Sequence, residues 1–488
     1  MGIGRALVLL LAVFTLLCPA VFASGFGVVG VGGEATAMGG AFRAVADNWT
    51  AAFYNPAGLA GIQDNSLGGD YILVNWRNSV TPNYLWGGTY ESGIINDVEA
   101  YNRYDVFGNG GGGLIFRLPV FGETVFGLTV FQEFDYNVCW ELYKPNRSYN
   151  STMNPPQNQF ENNFDVVSFQ ATAAHEFADE KLWLGLGLEL LRGDLLISTI
   201  GFRDNPYLEV DPEFTGADRP YDKIVDWNQN DGDGYGFGIR LGALWHATDK
   251  FRVGFSAHVP SKITLKGDAV THYYLPELYE PVDPGGSPEN LMTAGGTVTD
   301  SADFETDINM PATLGAGLSY DVNEKLTVAA DIEYTMWSNF EGFTYVYSNH
   351  RGLSGAADTT SYLNEFFTSN LAYVVDWENT VKIMCGARYR MIEKLSLLGG
   401  VSFDQSPARD NMLQTPLAID LGNKLGLYGG LQLHLDRWDL TFSTAYVNQP
   451  DDDDTDMVDL DNDGMPDSFP GSYTAETYQS TFSFNYRF

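Results

Sequence analysis

Large apolar and small or polar residues alternate with period two through most of this chain. Along Trp438-Asp439-Leu440-Thr441-Phe442-Ser443-Thr444-Ala445-Tyr446 the even positions are mostly large and apolar and the odd ones small or polar. The last segment sets Tyr478, Ser480, Phe482, Phe484, Tyr486 and Phe488 against Gln479, Thr481, Ser483, Asn485 and Arg487. Tyr235, Phe237, Ile239, Leu241, Ala243 and Trp245 alternate with glycines and Arg240, and Leu326, Val328, Ala330, Ile332, Tyr334 and Met336 with Thr327, Ala329, Asp331, Glu333 and Thr335. A period of two with one polar face describes β-strands whose two sides meet different media. Beyond the first two dozen residues, no stretch offers the ~18 uninterrupted apolar residues of a membrane helix.

Connection lengths separate a soluble β-sandwich from a membrane barrel. Very short turns fall at 121–124, 178–181, 247–250, 321–325, 392–394 and 436–437. Long polar segments fall between them, near 79–109, 139–163, 203–233, 275–304, 349–376, 407–422 and 449–472. Strict alternation of long and short connections is the form of an outer-membrane barrel with periplasmic turns and extracellular loops. The pattern predicts fourteen strands, at 66–78, 110–120, 125–138, 164–178, 182–202, 234–248, 251–272, 305–321, 326–346, 377–391, 395–406, 423–435, 438–448 and 474–488. The expected fold is therefore all-β, a transmembrane antiparallel barrel. Several strands exceed the ~10 residues needed to cross the apolar core, so a wall rising above the membrane is expected. Closure removes the exposed sheet edges that an open sheet must protect.

Composition narrows the function classes. The 488 residues carry 27 Lys+Arg against 63 Asp+Glu, a formal charge of −36, which excludes a broad phosphate-tracking surface and hence nucleic acid as a partner. Residues 1–23 read as a signal peptide: Arg5, an apolar run from Ala6 to Leu17, then Val21 and Ala23 as the small residues before a cut at Ser24. With Cys18 removed, Cys139 and Cys385 remain on distant segments, so neither a disulfide framework nor a thiol active site is indicated. The protein is expected to be a monomer that leaves the cytoplasm.

Residues 24–65 fit no strand. They are rich in Gly and Ala and include Glu34-Ala35-Thr36-Ala37-Met38-Gly39-Gly40-Ala41 and Asp47-Asn48-Trp49-Thr50-Ala51-Ala52-Phe53-Tyr54-Asn55-Pro56-Ala57-Gly58-Leu59-Ala60. This stretch resembles the N-terminal hatch of the FadL/TodX family of outer-membrane channels for long-chain fatty acids and aromatic hydrocarbons, and Asn55, Pro56 and Ala57 match its NPA motif. Met310-Pro311-Ala312-Thr313-Leu314-Gly315-Ala316-Gly317, Asp331–Ser338, Asp404-Gln405-Ser406-Pro407-Ala408 and the terminal Phe488 also look like the family. The resemblance implies three regions: signal peptide 1–23, hatch 24–65 inside the lumen, and barrel 66–488. It further implies passive transport of hydrophobic compounds across the bacterial outer membrane. Ligand captured by extracellular loops would reach an apolar lumen site, and hatch movement would release it sideways into lipid through a gap at an inward kink in the third strand. An apolar ligand gains ~0.8 kcal/mol per buried CH₂, so a route avoiding water is physically sensible. Gly127 is the residue on that strand suited to a bulge.

Two groups of residues are candidate sites. Alternation points Arg240, Lys382, Arg388, Arg390, Asp331 and Glu333 into the lumen. A carboxylate ligand would want one or two such cations, Arg240, Lys382 and Arg388 foremost, beside an apolar pocket. Alternatively these charges pair with one another or with Glu34 or Asp47 and keep the hatch seated. The second group is acidic: Asp459, Asp461, Asp463 and Asp467 alternate around Gly464 in a loop that suits a structural calcium ion. Asp226–Asp233 is a weaker echo of it. No cofactor is required, and nothing reads as an enzyme: His258 is expected to face inward without an identifiable Ser partner, and Cys385 to face lipid. The rival reading from another class is a surface adhesin or structural barrel with calcium-stiffened loops.

Overall fold

The computed structural model describes residues 28–84, 93–118, 122, 124–145, 147, 149–178, 181–204, 223–277, 295–351, 367–408, 422–449, 452–454, 458 and 468–488. Fourteen antiparallel strands follow one another around a closed barrel. They are β1 Ser66–Pro82, β2 Val106–Arg117, β3 Val125–Trp140, β4 Phe160–Phe177, β5 Leu182–Asp204 and β6 Lys223–Thr248. Four broken strands come next: β7 (Phe251–Pro260 and Ile263–Tyr274), β8 (Thr297–Ile308 and Thr313–Asn323), β9 (Leu326–Thr335 and Gly342–Arg351) and β10 (Leu371–Val374 and Thr380–Ile392). β11 Leu395–Asp404, β12 Lys424–His434, β13 Trp438–Asn448 and β14 Gly471–Arg487 complete the ring. β14 then pairs with β1 over its whole length, from Ser66↔Arg487 to Pro82↔Gly471.

Each predicted strand is present, in the predicted order. The breaks are the main difference. In β8 the break is at Pro311, which has no N–H to give a ladder; in β9 a short 3₁₀ turn, Trp337–Asn339, interrupts the strand. Met310, Trp337, Phe340 and Trp377 from these breaks are buried together in one aromatic-rich cluster toward the long-connection end. A second difference is the start of β6 at Lys223, where a loop was predicted to 233. Asp226 and Asp231 there sit on opposite faces of the strand: Asp226 is buried beside Arg203 at 3.6 Å, and Asp231 is exposed. A strand cannot wrap both carboxylates around one ion, so the echo of a cation loop in Asp226–Asp233 is corrected.

The two faces of the wall differ as alternation requires. On β5, Leu184, Leu186, Leu188 and Leu190 are exposed whereas Glu189 is buried. On β6, Phe237 is 68% exposed and Arg240 only 5%. Apolar residues outside and polar residues inside invert the order of a soluble domain and match a lipid-facing band. Cys385 lies on the outward register next to buried Met384, as expected. The proposed signal peptide lies outside the described residues.

Candidate functional site

The lumen is occupied by residues 28–65, nearly all of them buried up to Ala60. Small side chains make this possible: Ala35, Ala37, Ala41, Ala44, Ala51, Ala52, Ala57 and Ala60 are all inaccessible to solvent. The chain turns through two short helices, α1 Gly33–Ala37 and α2 Ala51–Tyr54, and a 3₁₀ segment, Pro56–Gly61. Asn55 caps the 3₁₀ segment, its Oδ1 accepting from Ala57 N at 3.2 Å, while Pro56 stands where no N–H is needed. Its Nδ2 donates to the Arg43 carbonyl at 2.8 Å and to the Ala243 carbonyl of β6 at 3.1 Å. The motif therefore fixes a turn within the plug and fastens that turn to the wall. Burial pushes the Tyr54 phenol up to about 12, leaving an intact O–H to donate to Val31 O at 3.2 Å.

Wall glycines receive this turn. A Cβ at Gly185 of β5 would lie 2.3 Å from the Pro56 carbonyl carbon, and one at Gly242 of β6 would lie 2.3 Å from Asn55 Oδ1. The glycines that alternate with large residues on these strands are thus sockets for plug backbone, a role that strand periodicity alone does not reveal.

Charge seats the plug as well. Arg388 of β10, one of the three cations singled out, pairs with Glu34 and with Asp47, the latter at 2.9 Å, while Gln432 Nε2 donates to Glu34 at 3.0 Å. Arg240 of β6 pairs with Glu189 at 2.5 Å and with Glu133, and donates to Phe53 O at 3.0 Å. Lys382 of β10 pairs with Asp404 at 3.0 Å. All three face the lumen, and all three have carboxylate partners. Arg43, on the plug, was not among the sequence candidates. Its guanidinium pairs with Asp331 and Glu333, its Nε donates to Ser256 at 3.0 Å, and its backbone N–H donates to Asp331 at 2.8 Å. The segment lacks any period from which a facing direction could be read, so Arg43 carried no signal. His258 is buried, with Nε2 2.7 Å from Glu189. Glu133, Glu189 and His258 could ligate a metal by proximity, but Arg240 already lies between the two carboxylates. Asp459, Asp461, Asp463 and Asp467 lie outside the described residues.

Among the described residues, the barrel wall is interrupted between β2 and β3. The β2–β3 ladder runs from Arg117↔Val125 to Gly112↔Val130 and ends there. β3 continues to Trp140 paired with β4 alone, through a register shift between Gln132 and Phe134. The bulge is thus at Glu133, and Gly127 lies in regular pairing on both sides, which corrects the expected kink position. Bonds to the backbone of β3 resume higher up, where Arg103 N donates to Cys139 O at 3.0 Å and Asn102 Nδ2 to Asn137 O at 3.2 Å. Across the opening between, Asn109 Nδ2 donates to Asp135. Its lower corner is capped by Asp70, which accepts from Gly111 N at 2.6 Å and from Gly32 N of the plug at 2.7 Å.

Behind this opening is a cavity of about 100 Å³, lined by Ile72, Val74, Trp76 and Phe107 on one side and by Lys382, Lys424 and Tyr428 on the other. A second cavity of about 120 Å³ lies beside Phe53, Tyr54 and His258. Val28, Val29 and Gly30 border both. Such volumes suit a single-ring molecule, since an apolar cavity of ~150 Å³ takes up benzene. They fall short of the ~300 Å³ or more of a drug-sized site.

Comparison with known proteins agrees with this architecture. The family model for outer membrane protein transport proteins (OMPP1/FadL/TodX) matches residues 14–488. Putative outer membrane protein NMB0088 of Neisseria meningitidis is 27% identical over 224 residues, 44% of this chain and 43% of that protein. A 47 kDa outer membrane protein of Pasteurella multocida is 22% identical over 182 residues, 37% of this chain and 36% of that one. The chain thus spans less than half the length of these curated relatives. The crystal structure of a Pseudomonas aeruginosa FadL homologue superposes with a TM-score of 0.71 at 17% identity, covering 95% of this chain and all (100%) of that one. The Pseudomonas putida toluene transporter TodX gives 0.64 at 15% identity, over 94% and 99% of the two chains. At these identities the likeness is one of fold.

Proposed function

The chain belongs to the OMPP1/FadL/TodX family of outer-membrane transport proteins, and from that premise we propose that it carries hydrophobic compounds passively across the outer membrane. The compounds are long-chain fatty acids or aromatic hydrocarbons, the latter the kind named for the toluene transporter it resembles in fold. They enter from the long-connection end, which faces the exterior in such barrels. They leave between β2 and β3 into the bilayer once the plug has shifted.

The observation that carries this reading is the interrupted β2–β3 ladder standing directly against a lumen cavity with an apolar wall. An apolar solute reaching Phe107 and Trp76 can continue into lipid without crossing water, and so avoids losing ~25 cal/mol per Å² of apolar surface re-exposed. The path straight down is obstructed by the plug, whose polar fastenings offer such a solute nothing. Cavities of about 100 and 120 Å³ leave room for a small aromatic, whereas a long acyl chain requires residues 28–30 to withdraw.

Uptake assays test this. Cells producing the protein should accumulate labelled toluene or oleate several-fold faster than cells without it, while liposomes containing it should not swell in small sugars. Sugar permeation with no gain in hydrophobic uptake would replace the proposal with a general pore.

A further inference from the structure

We propose that Arg240 is a positioning residue that couples the seating of the plug to the shape of the β2–β3 opening. Its meaning for transport rests on the lateral exit proposed above, but the coupling itself is a property of the fold. One guanidinium meets three elements. Nη1 donates to Phe53 O on the plug, Nη2 to Glu133 at the bulge of β3, and Nε to Glu189 on β5. The Phe53 ring lies under the guanidinium carbon at 4.5 Å, a cation–π contact in a site removed from water.

Glu133 is the residue displaced by the register shift, and Arg240 is its only hydrogen-bond partner among the described residues. The bulge is thereby held from inside the barrel by a cation that also holds the plug. Two residues before it, Phe131 stacks on Trp49 of the plug at 5.7 Å and meets Phe53 edge-on at 5.5 Å. The β2–β3 ladder stops at Val130, immediately before these contacts begin. On the opposite lip, Asp70 binds Gly32 of the plug and Gly111 of β2 with its two oxygens. The β3 lip therefore packs on the plug directly, and the β2 lip is tied to it through Asp70 of β1. At the bulge, Arg240 is a linkage that a side-chain change can cut, because each of its arms has a different owner. When the plug shifts and Phe53 O withdraws, Arg240 retains only the two carboxylates. The bulge can then settle into a different geometry. Two states linked through one shared residue are what a coupling free energy between sites requires.

Hydrogen exchange on the purified full-length protein in detergent tests this without any ligand, by following peptides covering 50–58 in the plug and 128–136 at the bulge. Glu133→Gln makes no direct change to the plug, yet exchange should rise at least fivefold in both peptides. Arg240→Met should do the same, and Arg240→Lys, whose single ammonium cannot reach three acceptors, should give a smaller rise in both. Ser319→Ala serves as the control. It removes only the 2.9 Å bond to Ala44 O elsewhere in the lumen, so it should loosen the chain near 44 and leave 128–136 unchanged. If Arg240→Met does not assemble, the double variant Arg240→Met/Glu133→Gln leaves one carboxylate fewer unpaired and carries the same expectation. Acceleration confined to 128–136 in Glu133→Gln, with 50–58 at the native rate, would overturn the coupling. Parallel uptake measurements keep the two readings separate. Coupled exchange without hydrophobic uptake by the native protein would remove the transport route and leave the linkage standing.

Discussion

The side-chain amide of Asn55 donates a 3.1 Å hydrogen bond to the carbonyl of Ala243, joining the plug to a wall strand nearly two hundred residues away in sequence. The same amide nitrogen holds the Arg43 carbonyl at 2.8 Å, and Asn55 is fully buried. Asn55→Ala therefore leaves two acceptors short of a donor and the following 3₁₀ turn uncapped. Each buried group left unsatisfied costs about 1–3 kcal/mol. That cost falls on the plug and not on the ladders. Exchange over 50–60 should rise at least tenfold, while the temperature at which the barrel unfolds in gel-shift assays stays within a few degrees of native.

Filling a socket should act in the same direction by steric means. Gly185→Val places a Cβ 2.3 Å from the Pro56 carbonyl carbon, with backbone on the other side and no flexible group to yield. The plug must shift outright, and overpacking of this kind costs typically about 1–3 kcal/mol. Planar-bilayer recordings should show channel openings for Gly185→Val that are rare or absent in the native protein.

Breaking the charge seat is a separate route. In Arg388→Met, Glu34 stays buried without its cation and Asp47 turns to solvent. Removing one partner of a buried pair costs about 3–5 kcal/mol. The Arg388 side chain is 23% exposed, so screening reduces this to roughly 1–3 kcal/mol. Protease sensitivity of the N-terminal segment should rise in Arg388→Met and return part of the way in Arg388→Met/Glu34→Gln, where the orphaned charge is gone.

The acidic loop makes an independent prediction. If Asp459, Asp461, Asp463 and Asp467 hold calcium, titration calorimetry on the native protein should show a binding heat that vanishes in Asp461→Ala/Asp463→Ala. Equal heats in both would leave a solvated loop.

Strand number and order were legible in the sequence because two periodic signals reinforced each other. The two-residue alternation gave each strand, and the long–short alternation of connections gave the ring. Inward-facing Arg240, Lys382 and Arg388 followed from the same parity, and pairing of Arg388 with Glu34 and Asp47 was one of two readings that parity left open. The bulge was not legible. Glu133 sits in Phe131-Gln132-Glu133-Phe134 with no glycine or proline to mark it, and the shift is held by Arg240 from three strands away. The breaks in β9 and β10 were hidden for a related reason, since only those in β7 and β8, at Pro260 and Pro311, carry a strong local signal. Arg43 was missed because a segment packed by backbone contacts against wall glycines has no hydrophobic period of its own.

Lateral release is tested most directly by closing the opening itself. Asn109 and Asp135 already touch across it through their side chains, so Asn109→Cys/Asp135→Cys, in a protein whose Cys139 and Cys385 are replaced by Ala, allows a disulfide to join β2 to β3. Uptake of labelled toluene or oleate should fall at least tenfold on oxidation and recover on reduction, with the barrel intact throughout. Undiminished uptake by the fully cross-linked protein would contradict passage between these strands.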